Sequence, residues 1–345
     1  MYAPRLSKDS LLSAFVFAIC MLAASLAAQG CSGGGNADVT GATLLRTGGQ
    51  CLRIALYGGY AYCADTDGLN VYAIGDGTNV TLVKEIPVVQ STLGFLAVVI
   101  KDKYLYTWNK PNFEVYDLTE PENPTVAFQA EKPPIRDMLI DGAWLYAGCD
   151  DGLAVYDITN PIAPELKKTM PSATTSLWLQ GTYLYADAGR NGFLIYDVTD
   201  PTEPVVAGGW PEDSGEQSLE VAPLVVKGTH LWGANDRGVL AFDVTDPAAS
   251  TRIDSVPSLS RPVVGMALHG DLLVVSQTQT GVHDTVEFRD IAADPANPPI
   301  VHVWDGEVTT GMGYRNATIF NDFAEDSKFF YLAGKGGLVI WKKGQ

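Results

Sequence analysis

Few residues in this chain are of a type and in a place to carry chemistry. The four histidines, His230, His269, His283 and His302, stand apart from one another, and none falls at metal-ligand spacing from a cysteine. No G-x-S-x-G, no Ser/His/Asp order and no phosphate-binding glycine loop ahead of a helix is visible. Two sets remain. Arg53, Arg136, Asp137, Ser176 and Thr318 combine one carboxylate, two guanidiniums and two hydroxyls. One Asp between two Arg pairs more readily with them than it activates water, so this set is a weak catalyst. Trp108, Trp210, Trp304, Tyr314 and Arg315 are of the types enriched at binding hot spots. Whether either set is a site depends on the elements that position it.

Those elements are written by repetition. "GLAVYDITNPIAP" at 152–164 returns as "GFLIYDVTDPTEP" at 192–204, with looser echoes in "FEVYDLTEPENP" and "GVLAFDVTDPAAS". The full unit reads apolar strand, turn, "xLYxA", turn, "GLxVYDxT", "xPxxP". Seven copies are anchored at Tyr62, Tyr106, Tyr146, Tyr185, Trp232, Val274 and Tyr331, which are 39 to 57 residues apart. Short strands recurring at this period predict an all-β chain, a single seven-bladed β-propeller of four-stranded antiparallel blades. The third strand, "LAVYDIT", is almost wholly apolar, as a strand covered on both faces must be. Asp157 and Asp197 end it in short Asp turns assisted by Thr159 and Thr199. Pro161 and Pro201 then force an extended entry to the outer strand. The seventh copy stops at "GLVIWKKGQ" without a fourth strand, and "ATLLRTG" at 42–48 is an orphan strand at the other end. The expectation is that the orphan completes blade seven and closes the ring, which removes exposed edges.

The units "IRDMLIDGAWLYAGCDDGLAVYDITNPIAP" and "LWLQGTYLYADAGRNGFLIYDVTDPTEP" resemble the LVIVD-repeat family of bacterial and archaeal surface propellers. The resemblance spans about residues 50 to 342. It implies a propeller on an exported protein and carries no common catalytic residues. A WD40 array is excluded, because "WD" occurs only at Trp304–Asp305, outside the repeat's Trp-Asp position.

In that frame, counting from Met138 sets Arg53, Asp137, Ser176, Gly265 and Thr318 on innermost strands at the mouth of the central channel, with Arg136 beside them. The aromatic set falls in or near loops sharing one face. Three irregular insertions, 209–222, 276–285 and 304–316, fall on that face too, and insertions gathered on one face of a repeat array mark a binding face. The alternative is that these aromatics tuck down and seal the ring. "NDFAEDS" at 321–327 reads as a solvated acidic turn on the opposite face, its Asp322, Glu325 and Asp326 matching no calcium-loop pattern.

The N-terminus reads as an address. Arg5 and Lys8 precede the apolar run Leu11–Ala28, the pattern of a secretory signal over residues 1–30. Ala28 and Gly30 before Cys31 resemble the lipobox of bacterial lipoproteins, which implies cleavage ahead of Cys31 and its acylation. Residues 31–40 then form a lipidated Cys and flexible tether, and residues 41–345 form the propeller. Several acyl chains on one Cys meet the condition for stable membrane anchoring. Ser32 after it implies, by analogy, outer-membrane sorting in a cell with two membranes. An exported, oxidising location permits a disulfide between Cys51 and Cys63, which flank one hairpin, and leaves Cys149 free. The net charge of −17, with no basic patch, repels nucleic acid. No cofactor and no metal are expected. The reading that results is a lipid-anchored binding or scaffold module of the cell envelope, for a protein or glycan. An enzyme at the channel mouth, a hydrolase or lyase, is the alternative, and a purely structural envelope component is a third.

Overall fold

The computed structural model describes residues 42–45, 51–75, 80–87, 95–109, 111–132, 134–171, 174–189, 191–210, 219–220, 222–235, 238–255, 263–277, 285–304, 320–334 and 337–342. Seven sheets are arranged in a ring; in six of them four antiparallel strands pair in chain order, and Leu219–Glu220 adds a short parallel pairing beside Asn191 and Gly192 of the fourth blade. The innermost strands, in blades 1 to 7, are Cys51–Tyr57, Phe95–Lys101, Ile135–Asp141, Leu177–Gln180, Leu224–Lys227, Val263–His269 and Phe320–Glu325. Each packs against its neighbours on either side, and blade 7 packs back on blade 1. The expected closure is present: Ala42–Leu45 pairs with Gly337–Lys342, Ala42 opposite Trp341 and Leu45 opposite Leu338.

Burial follows the position of a strand in its blade. The second and third strands, such as Trp144–Cys149 and Gly152–Asp157, are buried almost throughout, because neighbouring blades cover both faces. Outer strands such as Thr125–Glu131 are mainly exposed. Seven apolar clusters fill the seven inter-blade gaps. The one between blades 6 and 7 is the smallest, with Val274, Val286, Leu332 and Val339 as its buried members. All seven anchor residues are buried. Two show why the anchor is aromatic with a polar tip. Tyr62 donates its hydroxyl to the Pro121 carbonyl at 2.8 Å, and Trp232 donates its indole N–H to the Pro295 carbonyl at 2.9 Å. Each reaches the proline loop of the following blade, so the anchor fills one gap and ties two blades.

The repeated Asp does the capping expected of it. Asp117, Asp157, Asp197 and Asp243 accept the backbone N–H of Thr119, Thr159, Thr199 and Thr245 at 2.7–2.8 Å. Gly192, which opens a third strand with φ +76°, admits no side chain, since a Cβ would meet the Trp210 carbonyl oxygen at 2.1 Å. The outer strands of blades 1 to 6 each carry a bulge opposite the same point of the third strand, for example between Val155 and Tyr156. A bulge bends an exposed edge away from pairing with another chain.

Candidate functional site at the mouth of the channel

The channel position is built by a bulge. In blades 1, 3, 6 and 7 the innermost strand shifts register by one residue just ahead of Arg53, Asp137, Gly265 and Asp322. The fourth of these corrects the sequence reading. Asp322, opposite Ala333, is the equivalent of Asp137, opposite Gly148; Thr318 precedes the strand and lies outside the described residues. Nor is 321–327 a loop on the far face, since Phe320–Glu325 is the innermost strand of blade 7. The signal was in the sequence. Cys51–Leu52–Arg53–Ile54, Ile135–Arg136–Asp137–Met138 and Phe320–Asn321–Asp322–Phe323 share an apolar–x–charged–apolar pattern, and strand period alone conceals it because the bulge adds a residue.

Three side chains at this position perform one task. Asp137 Oδ2 accepts the N–H of Leu177 in blade 4 at 2.8 Å. Ser176 Oγ accepts the N–H of Leu224 in blade 5 at 3.1 Å. Asp322 Oδ2 accepts the N–H of Ile54 in blade 1 at 2.9 Å, across 268 positions of sequence. The second oxygens of Asp137 and Asp322 take the N–H of their own successors, Met138 at 3.0 Å and Phe323 at 2.9 Å. Each is therefore a latch from one blade to the next, and each oxygen of the two carboxylates accepts one backbone N–H.

Arg53 lies between the two carboxylates, its Nε 3.9 Å from Asp137 Oδ1. Burial pushes the pKa of Asp137 above the usual carboxylate range, against the opposing pull of Arg53 and of the Leu177 and Met138 N–H groups. Burial raises Asp322 to about 6, opposed by Arg53 and two N–H donors and assisted by the like charge of Asp137. Gly265 supplies no latch in blade 6. A cavity of about 20 Å³, room for one water, opens there between Gly265, Ser276 and Asp322.

The other members of the predicted channel set act differently. Arg136 turns from the channel to form a two-pronged pair with Asp150 of its own blade, at 2.6 and 2.9 Å. Ser176 is buried, and its N–H donates to Asp187 at 2.6 Å. Asp187, buried and raised to about 6 by that burial, also accepts the N–H of Thr175 at 2.5 Å. As for the histidines, His269 sits 3.3 Å from Glu325 and His230 stacks on Trp232. Among the described residues no group of three His, Cys, Asp or Glu side chains gathers closely enough to hold a metal ion.

The aromatic face must be revised as well. Trp108 is 1% exposed, packs between blades 2 and 3 and donates its indole N–H to the Lys132 carbonyl. Trp210 is 8% exposed and lies 5.2 Å from Phe242 of blade 5. Both rings seal gaps, since an indole at a strand end buries more apolar area between blades than it could on a loop. Trp304 ends the outermost strand of blade 6, while Tyr314, Arg315 and Cys31 lie outside the described residues. Cys51 and Cys63 form a disulfide, Cα atoms 5.7 Å apart, and Cys149 is free and buried.

The LVIVD repeat model matches residues 48–86, 135–170 and 171–210, which are blades 1, 3 and 4. No curated protein sequence matches the chain. Among solved structures, the crystal structure of the computationally designed Ika8 protein is similar, with TM-score 0.57 and 12% identity, covering 87% of this chain and 98% of that one. That likeness is one of fold.

Proposed function

We propose that this chain is a lipid-anchored propeller of the cell envelope, acting as a non-catalytic binding or scaffold module for a protein or a glycan. One observation carries the reading. The groups at the channel mouth that could do chemistry, Asp137, Ser176 and Asp322, hold the backbone of the next blade. A carboxylate whose two oxygens each accept a backbone N–H is fixed as a tie between blades, which supports a structural role for it over a proton-transfer one. The insertions that interrupt the repeat, 211–218, 278–284 and 305–319, lie outside the described residues. They follow Trp210, Gln277 and Trp304, strand ends that all open on one face. A ring of regular blades interrupted by insertions after strand ends on one face suits recognition. Anchoring rests on Cys31, with Ala28 and Gly30 ahead of it and the glycine-rich "SGGGN" behind.

Two measurements on the full chain test this. Growth with an alkyne-bearing fatty acid should label the wild-type chain and leave Cys31→Ser unlabelled; equal labelling would remove the anchor. Binding to purified envelope polysaccharide and protein fractions should be lost when 211–218, 278–284 and 305–319 are replaced by Gly-Ser linkers that leave the melting temperature unchanged. Hydrolysis or elimination on a substrate panel, abolished by Asp137→Asn, would instead establish the channel enzyme.

A further inference from the structure

The outermost strand of each blade has one edge with no neighbour in its own sheet. In blades 1 to 6 that strand carries a bulge, and the bulge falls at one point of the repeat. It lies just ahead of Tyr72, Tyr116, Tyr156, Tyr196, Phe242 and Arg289 of the third strand. The matching residue of blade 7 is Trp341, fifth in Gly337–Lys342 as Tyr156 is fifth in Gly152–Asp157. Ala42–Leu45 passes this point without a bulge: Thr43 stands opposite Ile340 and Ala42 opposite Trp341, in unbroken register. A bulge turns an edge away from a further strand, whereas a straight edge leaves alternate N–H and C=O groups in line to pair with one. The strand also carries no proline and no charged residue of the kind that guards an edge, such as Lys167 and Lys168 on the outer strand of blade 3. Among the described residues, blade 7 is thus the blade whose rim is open to strand addition.

The chain ahead of this strand indicates what pairs with it. Ten residues, 32–41, separate Cys31 from Ala42. A flexible chain of that length reaches roughly 16–19 Å r.m.s.. This step rests on the lipid anchor proposed above: every anchored copy then carries the same straight edge on a short tether from the membrane. A two-fold axis sets two such strands antiparallel, so one edge is complementary to its own copy. Four residues on each side offer few hydrogen bonds and far less surface than a stable dimer in solution buries. The net charge of −17 also opposes association in bulk. Confinement to a membrane supplies the high effective concentration that so small a contact requires.

We propose that the partner of this edge is a second copy of the chain. Anchored propellers pair through Ala42–Leu45 across a two-fold axis, and the two closing blades become one continuous antiparallel sheet, on the membrane and not in solution. A binding module paired in this way is bivalent, which raises its avidity for a repeating polymer such as a glycan.

Cysteine cross-linking of the full chain tests the pairing. In the two-fold registers with most overlap, either Thr43 or Leu44 stands directly opposite its own mate, with Cα atoms about 4.5–5.5 Å apart, within the span of a disulfide. The chain's own cysteines do not interfere, because Cys51 and Cys63 are bridged and Cys149 is buried. Thr43→Cys and Leu44→Cys are made separately in a bacterial host that acylates lipoproteins, and the membranes are oxidised mildly. One of the two should give a covalent dimer and the other about tenfold less, since neighbours along a strand cannot both face their mates. Val206→Cys, exposed on the outer strand of blade 4, should give as little as the weaker one. Fatty-acid labelling of the same membranes separates the two claims. Labelled chains with no dimer from either variant, or with equal dimer from all three, would overturn the pairing and leave the anchor standing. Unlabelled chains would remove the anchor and the pairing with it. Energy transfer between donor- and acceptor-labelled wild-type copies at low density in neutral lipid vesicles, lost on adding detergent, is the second expected result. Its absence would overturn the proposal even if a cysteine variant failed to fold.

Discussion

Asp322→Asn should reverse its effect on stability with pH. The folded acidity of Asp322 is about 6, against about 3.9 for a free Asp. A raised carboxyl favours folding while it is protonated in the native state. That contribution is complete below about pH 4 and is lost as the pH rises through about 6, amounting to roughly 3 kcal/mol at 1.36 kcal/mol per unit. Asn cannot ionise, so the variant escapes this loss. Its carbonyl keeps the Ile54 N–H but cannot also hold Phe323 N–H, and an orphaned buried donor costs about 1–3 kcal/mol. The charged groups facing Asp322 are Arg53 and Asp137, present in both proteins, so the difference between them isolates the one carboxyl. The variant should be less stable than wild type near pH 4.5, and level with it or more stable near pH 7.5. With an unfolding entropy of about 2.1 cal/mol/K per residue over roughly 300 residues, a 3 kcal/mol change moves Tm by about 5 °C. Urea unfolding and melting of both proteins from pH 4 to 8 read this directly. A difference that stays constant over that range would refute the latch as described. The acid limb of both curves has another origin. Asp117, Asp157, Asp197 and Asp243 are held below the usual range, chiefly by hydrogen bonds from the threonine two residues on. What they contribute is present above the free Asp value and is lost as the pH falls through their lower folded values.

Three further outcomes are expected. Deleting residues 40–50 removes Ala42–Leu45 from the edge of blade 7, and the whole ring should melt earlier in one transition; an unchanged melting temperature would show that closure lies elsewhere. Arg289→Met leaves Glu287 buried without its cation and should cost about 3–5 kcal/mol in urea unfolding, most of it recovered by Glu287→Gln/Arg289→Met. Cys149 is 4% exposed and its thiol is pushed up to about 12 by burial, so a disulfide-exchange reagent should label it only after unfolding; rapid native labelling would contradict its packing.

The repeat unit determined most of the fold. Each blade must bury its second and third strands on both faces, turn at the same Asp and cross at the same Pro, and these local demands are written as residue types at fixed spacing. The orphan strand at 42–48 was legible by the same logic, since a copy lacking its fourth strand needs one from elsewhere. What a side chain at a strand end or a bulge faces is decided by the neighbouring blade, which is not local in sequence. For Trp108 and Trp210 the sequence left a binding face and a seal both open, and the structure makes them seals, because the gap beside them offers more apolar area than solvent does. Asp137 and Ser176 looked like channel chemistry and became latches, because the next blade presents a backbone N–H within 3.1 Å or less of each. Asp322 was hidden because one bulged residue shifts the strand's alternation. Residue types and their spacing set the architecture, while the packing of one blade on the next decided which polar groups were bound to backbone.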